Sequence, residues 1–220
     1  MAKKYKKITK KELKRDRMLE YGTKVALYIR RQRIKVSIIG GGILIIIGGG
    51  VYFQRTVQVK QKQAEFEFRE AMAIYGTGNV TEAMTRFQDI STLYRKTTAG
   101  INAIYWLGNI YYFQGNYKEA QKYYEDYLKK GKDKVLLESA LLGIGDTYLQ
   151  ENDYFSAAQK YDEFVTQYAK SWLAPKALFQ TMRCYQLLNQ LDKANSTIQK
   201  LTQNYPTSQY TQKANLLTVR

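Results

Sequence analysis

At 220 residues the chain has room for one ordinary globular domain with appendages. It contains no histidine and a single cysteine, Cys184, which excludes an internal disulfide, a His/Cys metal cage and any Cys–His or Ser–His catalytic pair. Most of its net charge of +16 belongs to one end: residues 1–36 hold 14 Lys or Arg against Glu12, Asp16 and Glu20, a net of +11, and the rest carries only +5, so nucleic acid is not an expected partner of the rest.

Prolines are confined to Pro175 and Pro206, and no stretch alternates apolar with polar residues, so the expected class is all-α. In chain order, residues 1–35 form a basic tail. Thr9 and Glu12 make a capping-box pair, and Leu13, Leu19, Val25, Leu27 and Tyr28 give a ragged apolar face among Lys and Arg. An amphipathic helix lying on anionic membrane lipid accounts for these residues; ribosomal RNA or a cytoplasmic protein accounts for them too.

Residues 36–54, VSIIGGGILIIIGGGVYFQ, carry no charge. A helix of that length covers about 30 Å, the thickness of a bilayer core, so one transmembrane helix is expected. A cleaved signal peptide would have a shorter apolar stretch nearer the N-terminus and a small-residue cleavage site, whereas Tyr52-Phe53-Gln54-Arg55 follows this one. With no cysteine behind the run, a lipid-anchored lipoprotein is not expected. The tail's cations outnumber Arg55, Lys60 and Lys62 beyond the span, which predicts a cytoplasmic N-terminus and an extracytoplasmic C-terminal part, periplasmic in a bacterium. Gly41 with Gly48, and Gly42 with Gly49, stand one heptad apart and offer a flat strip to another transmembrane helix. Residues 55–63 read as a helical connector, lacking any Gly, Pro or Ser cluster.

From residue 64 the chain repeats with a period of 37. Ala83, Ala120, Ala157 and Ala194 form one column; Ile74, Tyr111, Tyr148 and Tyr185 another. Phe87, Tyr124, Tyr161 and Ile198 follow, then Ile90, Tyr127, Phe164 and Leu201. Gly78, Gly115, Asn152 and Asn189, which all tolerate a left-handed backbone, mark the turn inside each repeat. Each repeat reads as helix, short turn, helix, as in 102–114 and 117–130. Its apolar face stays uncovered until a neighbour stacks on it, which predicts an α-solenoid. The expected repeats lie near 64–100, 101–137, 138–174 and 175–208, with a capping helix over 209–220.

Leu107-Gly108-x-x-Tyr111 with Gly115, Tyr117, Ala120 and Tyr124 resembles the tetratricopeptide repeat, and Ile144-Gly145-x-x-Tyr148 with Asn152, Tyr154, Ala157 and Tyr161 resembles it again. The first repeat departs at Glu70 and the fourth at Thr181 and Met182, while Pro206 stands at the family's helix-ending proline. The resemblance implies a superhelix whose concave face, made chiefly by the first helix of each pair, binds protein. Carried over by position, the groove would be lined by Phe68, Tyr105, Leu142 and Phe179, with Met72, Asn109, Asp146 and Arg183 beside them and Tyr75 and Tyr112 further along. Aromatic residues occupy the column where repeats that clamp acidic C-termini place lysine, so that ligand is not expected.

The plan as a whole, a short tail reading Ile8-Thr9-Lys10-Lys11-Glu12-Leu13-Lys14, one span and outer repeats, resembles a bacterial inner-membrane family. That family includes the ancillary subunit of the Sec translocon. The expected function is a membrane-anchored scaffold for protein partners, without catalytic residues, cofactor or metal. A structural or assembly subunit of a larger respiratory or envelope complex fits the same residues. The carboxylate pairs Glu125/Asp126 and Asp162/Glu163 fall on polar helix faces, where a solvated surface outweighs a general acid–base site.

Overall fold

A computed structural model describes the backbone of residues 10–218 and the side chains of residues 18–217 other than 36, 39, 40 and 43. Thr9, the expected cap of the tail helix, and the side chain of Leu13 lie outside the described residues. Among the described residues all regular structure is helical. Helices α1 (Lys10–Arg31) and α2 (Arg33–Gly76) are followed by α3 (Val80–Leu93), α4 (Thr98–Phe113) and α5 (Tyr117–Lys130). Then come α6 (Lys134–Gln150), α7 (Tyr154–Gln167), α8 (Ala174–Leu187), α9 (Leu191–Asn204) and α10 (Gln209–Thr218). The chain divides into two compact bodies, the first ending at Gln58 and the second starting at Val59.

In the first body, Met18, Tyr21, Val25, Tyr28 and Ile29 are exposed on α1. Their spacing of three, four, three and one places them along a single helix face. The tail's apolar stripe therefore uses Met18, Tyr21 and Ile29, which the sequence reading left out. Leu19 and Leu27, also exposed, fall off that stripe. The uncharged run 36–54 is helical throughout, inside α2. Among the described residues no helix is long and apolar enough to cross a membrane. The expected span includes Val36, Ile39, Gly40 and Ile43, whose side chains lie outside the description.

The second body is a row of helix pairs: the end of α2 with α3, then α4/α5, α6/α7 and α8/α9, with α10 packed on α8 and α9. The repeat columns explain its core. Ala83, Ala120 and Ala157 have no exposed surface and Ala194 has 2%. Phe87, Ile90, Tyr127, Tyr161, Phe164 and Leu201 are buried between successive pairs. Gly108 and Gly145 leave space for rings from the second helices. A Cβ on Gly108 would stand 2.8 Å from the ring of Tyr124, and one on Gly145 would stand 2.6 Å from that of Tyr161.

The turn column takes the left-handed backbone its residues permit. φ is +85° at Gly78, +77° at Gly115, 62° at Asn152 and 57° at Asn189. The following amides of Asn116, Asp153 and Gln190 donate back to Tyr111, Tyr148 and Tyr185 O, which ties off each first helix in a Schellman closure. Between repeats, Thr97 accepts from Gly100 N and Asp133 from Val135 N and Leu136 N, capping α4 and α6.

Candidate partner-binding groove

Helix α4, TAGINAIYWLGNIYYF, has no charged residue along its 16 positions. Its partner α5 holds the charges of the pair. On the uncharged side an open cavity of about 230 Å³ runs between α4, α6 and the start of α8. Tyr105, Asn109, Tyr112 and Phe113 line it from α4, and Ser139, Leu142, Gly143 and Asp146 from α6. Trp172, Leu173 and Lys176 close its far wall, with the ring of Tyr124 beneath. Gly143 keeps that floor close, since a Cβ there would stand 2.9 Å from the Tyr124 ring.

Two equivalent hydrogen bonds fix the polar centre. Tyr124 Oη donates to Asn109 Oδ1 at 2.7 Å, and Tyr161 Oη donates to Asp146 Oδ1 at 2.5 Å. Donors and acceptors are each one repeat apart. Burial pushes both phenols far above the ordinary tyrosine range, with the charge of Asp146 adding to the effect at Tyr161, so both remain donors. Lys176 Nζ meets the other carboxylate oxygen of Asp146 at 3.1 Å. Asn109 keeps its amide Nδ2 without a partner among the described residues. Tyr112 is also raised, by burial and then by Asp146. Phe113 and Trp172 are each 76% exposed, so the cavity is flanked by large apolar side chains standing in water.

The structure thus brings Tyr105, Asn109, Tyr112, Leu142 and Asp146 to one place and leaves the other sequence-derived groove residues apart. Phe68 packs on Phe87 at 5.6 Å between ring centres, and Tyr75 meets Trp106 edge-on at 5.6 Å. Met72 belongs to the same first cluster. Phe179 lies 5.7 Å from Tyr210 of the capping helix, and the exposed Arg183 donates to Gln180 Oε1 at 3.3 Å. Phe113, Ser139, Gly143, Trp172, Leu173 and Lys176 were missed. Two signals were available: Ser139 and Lys176 are 37 residues apart and form a column of their own, and Trp172 is a large apolar residue inside a connector. Of the carboxylate pairs, Asp162 accepts from Tyr185 Oη, Asp126 pairs with Lys130, Glu163 with Lys160, and Glu125 accepts from Gln121.

Comparison with known proteins agrees with the helix-pair geometry. Family models described as tetratricopeptide repeat match residues 101–133, and again 139–171 and 176–208. Among curated proteins none matches the chain. Among solved structures, MamA (residues 41 to the end) from Desulfovibrio magneticus RS-1 is 18% identical, with a TM-score of 0.57 over 71% of this chain and 84% of that one. The apo form of RapI is 16% identical with a TM-score of 0.63, over 72% of this chain and 47% of RapI. YrrB, described as a TPR protein with an unusual peptide-binding site, is 18% identical with a TM-score of 0.52, over 70% and 75%. These structures share the fold. With these matches, the 37-residue columns and the stacked helix pairs, the chain carries tetratricopeptide repeats over residues 101–133, 139–171 and 176–208.

Proposed function

We propose that the chain is a membrane-anchored, non-catalytic scaffold that holds another protein in the groove between α4, α6 and the start of α8. The observation that carries this reading is an uncharged α4 facing a cavity flanked by exposed Phe113 and Trp172. Large apolar side chains left in water around a concave site mark a place for a partner's anchor side chain. The free amide of Asn109 and the Asp146–Lys176 pair would fix that partner's backbone or polar groups. A peptide or a partner helix suits the cavity, and the description of YrrB names a peptide-binding site on the same fold.

The anchor in this reading is the uncharged run 36–54. The tail's excess of Lys and Arg keeps the N-terminus in the cytoplasm and puts the repeats outside. The resemblance to the ancillary Sec subunit makes a translocon the first complex to examine. A second reading, a structural subunit gripped within the membrane, draws on the glycine strip. Among the described residues nothing lies within 4 Å of where a Cβ would stand on Gly41, Gly42, Gly48 or Gly49, which leaves that strip open to another helix.

Photo-crosslinkers placed at Tyr112 and at Gly48 in native membranes separate the two readings by identifying what each position touches. Replacing Phe113 and Trp172 by alanine should weaken capture at the Tyr112 position by at least about tenfold. Helix content should not change, because both side chains are exposed. Capture that survives this variant but is lost on Gly41→Leu with Gly48→Leu would move recognition into the membrane and make the repeats a spacer.

A further inference from the structure

The connectors between repeats, 94–97, 131–133, 168–173 and 205–208, share one edge of the second body. Tyr94 Oη donates to Glu67 Oε1 at 2.8 Å, and Tyr127 Oη at the end of α5 donates to Asn102 Oδ1 in the first turns of α4. Ser171 Oγ donates to Glu138 Oε2 at the start of α6, and Tyr205 Oη donates to Ala169 O in the preceding connector. Three of these bonds tie a connector, or the helix leading into it, to the first helix of its own repeat, and the fourth ties the last connector to the one before it. The chain enters the second body on the same edge, where Gln61 Nε2 donates to Thr98 Oγ1 at 3.2 Å.

This edge is cationic. Arg95, Lys96, Lys129, Lys132, Lys134 and Lys170 are all exposed along it. Arg95, Lys96, Lys129, Lys132 and Lys170 make no ion pair among the described residues. The one acid in the connectors, Asp133, spends its carboxylate capping α6; of the acids beside them, Glu67 accepts from Tyr94 and Glu138 from Ser171 and pairs with Lys134 at 3.9 Å, which leaves the cations in excess. The turns on the opposite edge, around Gly78, Gly115, Asn152 and Asn189, contain Glu151 and Asp153 and no Lys or Arg. Large apolar side chains are interleaved with the cations: Leu93 is 70% exposed, Val135 57% and Trp172 76%.

We infer that this connector edge docks on an anionic membrane surface. Cations with aliphatic stems, spaced among exposed Leu, Val and Trp, match the two layers of a bilayer interface, charged headgroups over the first methylenes. Each such cation near an anionic leaflet adds about fivefold to surface partitioning. The inference rests on the anchored reading of residues 36–54. Residues 55–58 are all that separates that run from Val59, the first residue of the second body, and the chain enters that body on this edge. An acidic protein face would use the cations but has no need of the exposed Leu93 and Val135, which lie outside the groove.

The test uses the full chain with Trp106→Phe, which leaves Trp172 as the only tryptophan. It is reconstituted into vesicles of neutral lipid, or of neutral lipid with phosphatidylglycerol, both doped with lipid spin-labelled near the headgroup. Emission from Trp172 should be quenched several-fold more in the phosphatidylglycerol vesicles, and salt should relieve the quenching. Adding Arg95→Glu, Lys96→Glu, Lys132→Glu and Lys170→Glu should abolish it; the matching glutamine set, gentler to the fold, should weaken it. Equal quenching in the two lipids, no quenching, or quenching unmoved by either set overturns the inference. So does loss, in the reversed variant, of an acidic protein partner when vesicles never quenched Trp172. Alkaline washing of the same vesicles reads the anchor separately: protein stripped by the wash, with Trp172 still quenched at neutral pH, sinks the span and keeps the edge.

Discussion

Ala157 has no exposed surface within the cluster that α6, α7 and α8 share. Leucine there would have to displace its neighbours in that cluster, so Ala157→Leu should cost about 1–3 kcal/mol in denaturant unfolding. An unchanged midpoint would show the repeat register to be wrong. Gly145→Ala should be costly for a related reason, because its new Cβ would stand 2.6 Å from the Tyr161 ring. Moving that ring also takes its hydroxyl away from Asp146, so Gly145→Ala should lose more than Tyr161→Phe, which removes only a bond of about 1–2 kcal/mol. The buried phenols set a pH limit as well. Burial raises Tyr127 and Tyr185 to about 12, from 10.0. A raised folded pKa means the unfolded chain loses its protons first, so stability is intact below pH 10 and falls as pH rises toward 12. Titrating tyrosine absorbance and helix content together checks this: phenolate formation at these residues should appear in step with unfolding, not before it.

The turns and alanines were readable because each obeys a local rule at one fixed period. A left-handed residue closes the first helix, and a small one lets two helices touch. Gly115→Ala should therefore cost about 1–2 kcal/mol, since φ is +77° there with open space around the would-be Cβ, leaving backbone strain as the whole effect. Asn152→Gly should cost little, since relief of the left-handed backbone offsets the lost bond from Tyr154 Oη to Asn152 Oδ1. A thermal midpoint for Gly115→Ala equal to that of the unsubstituted chain would refute the assignment. The groove was only half readable, because its lining is decided by neighbours and not by period. Phe68, Tyr105, Leu142 and Phe179 share one column. At the ends of the array, Phe68 is taken up by Phe87 and Phe179 by Tyr210 of the cap. Tyr75 shares a column with Tyr112, yet Trp106 meets it edge-on. Trp172 reaches the cavity from the connector and Lys176 from the first helix of the next repeat, neighbours that column arithmetic does not contain.

A solenoid has no central core. In the second body each helix pair contacts its neighbours, and α10 covers the last pair. Residues far apart in sequence are therefore coupled only through the stack, and where the protein works is set by what holds the array in place. On the proposed reading that is the run 36–54, and its direction follows from charge. Fourteen Lys or Arg precede residue 37, whereas Arg55, Lys60 and Lys62 are the cations that follow closely. Moving the tail across a membrane would carry that excess against the positive-inside bias, while a folded C-terminal body crosses largely without regard to charge. A reporter fused after Arg220 should therefore be active only on the outer side. Replacing the tail's Lys and Arg by Gln should let a fraction of molecules insert the other way, seen as reporter activity in the cytoplasm. Cytoplasmic activity of the unsubstituted fusion would overturn the orientation and the translocon proposal. It would also leave the basic connector edge facing the cytoplasmic leaflet, where the vesicle experiment still applies without change.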